Sequence, residues 1–527
     1  MQAVKAPAPT VHSEPRVSVK EWLAVIGAAI GAFMAVLDIQ ITSSSLRDIQ
    51  GALGASVDEG SWISTSYLIA EIITIPLTGW LSRVFSPKIY ISVNAILFIG
   101  FSVLCGFSHD LPTMIACRAA QGFTGGVLIP MAFSIILTTL PPSKMPIGMA
   151  IFSITATFAP SIGPAIGGYL TDSFGWPYIF YLNLVPGIVL ISMLIYALPS
   201  RKMDLQLLKK HDIPGIIAMA IGLSCLTYTL EEGQRKDWLG SELITRTAVI
   251  SAVFLTLFVI REFTAKNPLV NLKLFGRRNF SVGSVANVAL GMALYGSVYL
   301  LPLYLSITQG YSAWQIGQVM IWTGLPQLFI TPFVPILMSK IDPRFLLIFG
   351  LLMFAASCFL NTSMSHDYAG DQLLLSMLIR AIGQPFIMVP VSALATAGLP
   401  KEDTGSASAL FNMMRNLGGS CGIALASTLL TQREQFHSER IGESVSDSVL
   451  QIQQRLSGTT TYLHHAGASL WSAKQQALAV LANSVQQQAY IMAFNDAFLF
   501  VGLILTLAAF AALLLKKPVG KVHAAAE

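Results

Sequence analysis

Fourteen runs of about twenty apolar residues punctuate this 527-residue chain, and few architectures can accommodate them. They fall at 22–44, 60–82, 89–107, 112–136, 146–171, 177–198, 213–231, 244–263, 284–306, 315–338, 346–362, 372–398, 405–431 and 491–515. Each is long enough to cross the hydrocarbon core as a helix, the element that satisfies all its backbone polar groups internally. Charged residues make up 11% of the chain, against roughly 25% in a soluble domain, so a soluble fold would have no surface to offer water. The expected class is therefore an all-α polytopic membrane protein. A formal charge of +5 does not point to nucleic acid, because the basic residues lie in short segments between the runs.

Those basic residues also set the orientation. With both termini cytoplasmic, 21 Lys and Arg fall on the cytoplasmic side and four (Arg47, Arg235, Lys236 and Arg246) in short outside loops. That asymmetry obeys the positive-inside rule, and an odd number of spans would scramble it. The first twenty residues are polar, with no cleavable signal pattern, so the first run is expected to serve as both targeting signal and span. The resulting plan is a cytoplasmic tail (1–21), a six-span bundle (22–198) and a basic linker (199–212). Two extra spans (213–263), a cytoplasmic loop (264–283), a second six-span bundle (284–515) and a tail (516–527) follow. Within the second bundle, 432–490 is a large outside segment rich in Gln, Ser and His, with helical composition over Ala473–Tyr490. It is expected to be either a flap over the outer mouth or a docking surface for another protein.

Five ionisable side chains within the apolar runs stand out: Asp38, Glu71, Arg118, Arg380 and Arg415. Each costs roughly 2.5–3.5 kcal/mol on insertion scales, so such residues mark pathways, relays or ligand sites. A carboxyl group in a low-dielectric span can exchange a proton when water or a cation reaches it. Asp38, two thirds along the first span, and Glu71, mid-way along the second, are the candidates for proton coupling. Arg118, in the first turns of the fourth span, is read as a fixed charge tuning a nearby carboxylate. Arg380 and Arg415 are expected at similar depths near cytoplasmic helix ends. Each carboxylate also has the plainer alternative of bonding a neighbouring helix, and each arginine that of reaching for an interface. The five cysteines have no ligand spacing, and no G-x-x-x-x-G-K-[ST] loop occurs. No metal or cofactor is expected, and energy must come from a gradient or a partner.

Several motifs then converge. Leu37-Asp38, Arg118-Ala-Ala-Gln121-Gly122 and Gly163-Pro164-Ala-Ile-Gly167-Gly168 lie in the first, fourth and fifth spans. Gly175-Trp176-Pro-Tyr-Ile-Phe180-Tyr-Leu-Asn183 and Asn412-Met-Met-Arg415-Asn-Leu-Gly418-Gly419-Ser420 extend them. Together they resemble the fourteen-span drug:proton antiporters of the major facilitator superfamily, close to the Emr-type exporters of Gram-negative bacteria. Two departures stand out: Arg83 replaces the usual Asp in the loop after the second span, and Glu71 lies outside the general signature. An internal echo, Arg118-Ala-Ala-Gln121 against Arg380-Ala-Ile-Gly383-Gln384, agrees with two related halves.

The resemblance implies an inner-membrane exporter of hydrophobic or amphipathic compounds, driven by inward protons and working by alternating access. Its partners would be a periplasmic adaptor and a TolC-like outer-membrane channel. Span position suggests a cavity lined partly by Met34, Phe158, Tyr295 and Tyr299, with Gln121, Asn183, Arg380, Asn412 and Arg415 as further polar sites. The alternatives are a dedicated exporter of one metabolite, such as a siderophore or an aromatic acid, and a non-transporting sensor. A membrane-embedded enzyme is not expected, because no cluster of catalytic residues lies at either membrane face.

Overall fold

The computed structural model describes residues 17–209, 212–265, 268–445 and 450–516, so the tail residues 1–16 and 517–527, with Lys210 and His211 of the linker, lie outside it. Among the described residues, twelve helices are long and apolar enough to cross a membrane. A thirteenth span is the pair Ala313–Ile330 and Phe333–Lys340, bent by 53°. The remaining expected span, 405–431, lies inside the helix Thr404–Ser444 and is less apolar than the others because Asn412, Arg415, Asn416 and several Gly and Ser residues fall within it.

Local chemistry explains where the helices begin and end. Ser18 and Glu21 form a capping box at the start of the first span, Val19–Ser44. Asp110 caps the fourth, accepting from the Thr113 amide at 2.9 Å, with Pro112 in the first turn. That span then breaks between Leu111–Gly125 and Leu128–Thr139. The ninth span, Arg278–Gln309, stops at Gly310, whose φ of 65° is open to glycine at little cost. The fifth span, Met145–Phe174, carries Pro160 and Pro164 within its helix.

The first six spans pack on one another, as do the last six. The bundles meet where the second span (Trp62–Phe85) and the latter part of the fourth touch the thirteenth, and where the fifth touches the tenth and twelfth (Gly370–Thr396). One interface is pinned by Ser408 Oγ donating to the Pro130 carbonyl (2.7 Å), the other by Thr323 Oγ1 and Ser161 Oγ (2.8 Å). Outward-facing side chains such as Val185, Phe329 and Leu507 are exposed, as a lipid-facing surface requires.

The two extra spans, Ile213–Glu232 and Glu242–Thr264, form a hairpin against this interface. Glu232 is buried and accepts from Ser61 Oγ (3.0 Å) and Thr65 Oγ1 (3.2 Å) of the first bundle, while pairing with Arg235. Trp238 Nε1 donates to Thr428 Oγ1 of the second bundle at 3.0 Å. The other end of the hairpin is clamped by Arg261 on Asp212, which holds that carboxyl below the usual carboxylate range.

The described parts of 432–490 are mostly helical. The thirteenth helix runs unbroken to Ser444, and the last helix begins at Leu470 and continues to Ala512. A further helix, Leu450–His465, lies along the last one and buries none of its residues. The Gln- and Ala-rich stretch from Leu470 to Tyr490 lacks Pro and Gly, so nothing interrupts helix propagation.

Candidate functional site

Asp38 is sealed inside the first bundle, 3% exposed. Its Oδ2 accepts from Arg118 Nη1 at 2.6 Å, and its Oδ1 accepts from Gln121 Nε2 (2.9 Å) and Asn183 Nδ2 (2.7 Å). Three residues of the fourth and sixth spans thus close on one carboxylate of the first, with Ser102 of the third supporting Asn183 at 3.0 Å. Arg118 is further held by the Gln121 Oε1 (2.7 Å) and the Ile63 carbonyl (3.2 Å), and stacks over the Tyr67 ring at 4.3 Å. Every polar neighbour of Asp38 donates to it. A protonated carboxyl would need an acceptor, so the arrangement belongs to the ionised state.

The close approach of the helices makes this geometry possible. A Cβ added at Gly122 would lie 2.3 Å from the Tyr67 carbonyl oxygen, and one at Gly167 3.1 Å from the Ile41 carbonyl. Gly163 likewise meets Gln40 of the first span, Gly168 meets Ala313 of the tenth, and Pro164 lies buried between them on the fifth helix. Gly122→Ala should force the second and fourth spans apart and lower stability by about 1–3 kcal/mol. Thermal unfolding of the purified protein checks this; an unchanged midpoint would contradict the packing described.

The second centre lies between the bundles. Glu71, 2% exposed, receives one long hydrogen bond, 3.4 Å, from Asn416 Nδ2 of the thirteenth span. The neighbouring Arg415 is 2% exposed, and its Nε and Nη1 have no hydrogen-bond partner. Its guanidinium lies 5.7 Å from the Phe152 ring centre, and Tyr295 packs on Gly419 one turn further along the same helix. Asp38 is saturated and Glu71 is not. The first carboxylate is locked within one bundle, while the second spans the surface along which bundles must move.

Not every expected residue joins these centres. Phe158 stacks with Phe33 at 6.2 Å near Gly324 of the tenth span, on the face between bundles. Met34 instead lies against Gly187, inside the first bundle, and Tyr299 sits one turn beyond Tyr295. Asn412 is buried and donates to the Ser408 carbonyl of its own helix (2.9 Å). Arg380 and Arg415 do not share a depth near one face. The twelfth and thirteenth helices run in opposite directions with each arginine about three turns in, which places the two in opposite halves. Arg380 packs by Ser357 and Asn361, at the outgoing end of the eleventh span (Pro343–Leu360).

Tyr67 and Asn416 were not singled out in the sequence, although each carries a signal. Tyr67 precedes Glu71 by four residues and so shares its helix face; Asn416 adjoins Arg415. Ser102 carried none. Among the described residues no group of His, Cys, Asp and Glu could hold a metal ion.

The family model for the Major Facilitator Superfamily matches residues 28–423. The chain is 34% identical to the colistin resistance protein EmrB of Acinetobacter baumannii over 502 residues, covering 95% of this chain and 97% of that protein. It is 31% identical to the multidrug export protein EmrB of Escherichia coli, covering 90% and 91%. Among solved structures, the proton:xylose symporter XylE superposes with a TM-score of 0.58 at 15% identity, over 94% of this chain and 95% of that one.

Proposed function

The chain belongs to the Major Facilitator Superfamily, and from that premise we propose that it exports hydrophobic or amphipathic compounds across the inner membrane in exchange for protons. It is a transporter and not an enzyme. The observation that carries the coupling is the all-donor shell around Asp38. One proton on that carboxyl cancels the charge holding Arg118 and turns an acceptor oxygen into a donor facing donors. The shell must then open, which shifts the balance between outward- and inward-open arrangements. Release of the proton on the opposite side restores the ionised shell.

Substrate would dock between the bundles, where Glu71, Asn416, Arg415, Tyr295 and Phe152 offer unsatisfied polar groups beside aromatic faces. A compound there replaces the weak Glu71–Asn416 contact and couples its own binding to bundle movement. The positive-inside partition supports cytoplasmic termini. The helical extension around 450–490 then faces the periplasm, where an adaptor and a TolC-like channel would complete the route. The homology to multidrug export proteins supports a broad substrate range. Arg415, whose Nε and Nη1 have no hydrogen-bond partner, favours a second reading, dedicated export of an acidic amphiphile; a competition panel of cationic, neutral and acidic compounds separates the two.

Glu71→Gln removes the carboxylate from this centre while keeping its hydrogen-bonding shape. Cationic compounds should lose about tenfold in transport relative to neutral ones, equivalent to about 1.4 kcal/mol of differential binding. Counter-measurement in proteoliposomes is direct, and unchanged relative rates would exclude Glu71 from the substrate site.

A further inference from the structure

The two bundles carry the same buried arginine, but only one of them carries its counter-charge. In the first, Arg118 on the fourth span faces Asp38 of the first span and is supported from Ser102 of the third. In the second, Arg380 holds the corresponding place on the twelfth span, 5% exposed, beside Ser357 of the eleventh and Ser297 of the ninth. On the ninth span the polar side chain bordering Arg380 is the uncharged Ser297, where the first span presents Asp38 to Arg118.

Among the described residues Arg380 has no ion pair and no hydrogen bond, and its buried Nε is without a partner; the Phe354 ring lies 5.1 Å from the cation. Its guanidinium borders a small cavity shared with Ser297, Ser357, Cys358, Asn361 and Ser376. No carboxylate lines that cavity. The hydroxyls of Ser297, Ser357 and Ser376 are turned to carbonyls of their own helices, those of Leu294, Phe354 and Leu373. Each can rotate its proton into the cavity, and the Asn361 side chain, whose Oδ1 is likewise unpartnered, brings amide donors. Arginine does not deprotonate in proteins, and an uncompensated buried charge costs several kcal/mol. The site therefore supplies a fixed cation, neutral donors and space for one species of about the size of a water molecule.

We propose that Arg380 binds a single small monovalent inorganic anion, which provides the counter-charge that no carboxylate supplies at this site. The ion is structural. It neutralises the twelfth-span arginine that Asp38 neutralises at the fourth, and leaves the second bundle without a titratable carboxyl at the equivalent point. The twelfth-span arginine site then keeps one charge state throughout the cycle, with no carboxyl there to exchange a proton.

The test uses the purified full-length protein in detergent. Sodium chloride is exchanged for sodium gluconate at constant ionic strength, and the thermal unfolding midpoint is followed. Wild type should show a saturable rise of a few degrees with chloride, because a ligand that binds only the folded state stabilises it by mass action. Arg380→Met should abolish the rise, and Arg415→Met, which removes the other arginine with unpartnered buried nitrogens, should retain it. Ser297→Asp keeps the test decisive if Arg380→Met fails to fold. With a carboxylate built in, this variant should unfold above wild type in gluconate and gain nothing from chloride. Equal midpoints of wild type in the two salts would overturn the proposal. So would a chloride effect that survives in Ser297→Asp, or one lost in Arg415→Met and kept in Arg380→Met.

Discussion

Asp38→Asn abolishes proton-driven efflux and leaves the protein folded. The amide is nearly isosteric with the carboxylate, but it cannot take up or release a proton. Arg118 loses its counter-charge yet keeps two acceptors, Gln121 Oε1 at 2.7 Å and the Ile63 carbonyl at 3.2 Å, so the bundle holds together at reduced stability. Efflux driven by an imposed pH gradient should fall by at least about 100-fold, the lower bound of what a positioned proton acceptor contributes to a coupled step. Substrate counterflow, which needs no net proton movement, should persist. Efflux at the wild-type rate in this variant would remove Asp38 from the coupling mechanism.

Arg118→Met is expected to harm the fold more than any other single change considered. It strips the one cation from a carboxylate that is 3% exposed, and breaking a buried pair from one side costs about 3–5 kcal/mol. The guanidinium also spans the first, second and fourth helices through Asp38, the Ile63 carbonyl and the Tyr67 ring, so its loss unties three elements at once. Detergent-solubilised protein should unfold at a clearly lower temperature, with reduced yield. The double variant Asp38→Asn/Arg118→Met, with no charge left at the site, should recover part of that loss without recovering transport. If the single variant matches wild type in stability, the pair is not structurally coupled as described. If the double variant is no better than the single, the penalty does not come from an orphaned charge.

Much of this architecture was legible in the chain. Runs of apolar residues fix the spans because lipid imposes one backbone solution, and loop basicity orders them. The ionisable residues within spans were equally visible, since their rarity is itself the signal. Pairings across helices were less accessible. Asp38 and Arg118 are 80 positions apart and Glu71 and Asn416 are 345 apart, so no local periodicity joins them. Motif resemblance suggested the first pair; nothing suggested the second. Arg380 was visible as a charge but not as one lacking a partner, because absence of a counter-ion is a property of the packed bundle. The helical continuation from the thirteenth span to Ser444 is not visible in the apolar pattern, because polar composition ends the apolar run while helix propagation responds to the lack of breakers.

We propose that one carboxyl, Asp38, carries the proton exchanged for substrate. Proton movement in proteoliposomes tests it most directly, with a pH-sensitive dye inside the vesicles and lipophilic compounds added to wild type and Asp38→Asn. Compound-dependent proton flux is expected in wild type and not in the variant, with counterflow intact in both. Compound-dependent proton flux of equal size in the variant would contradict it.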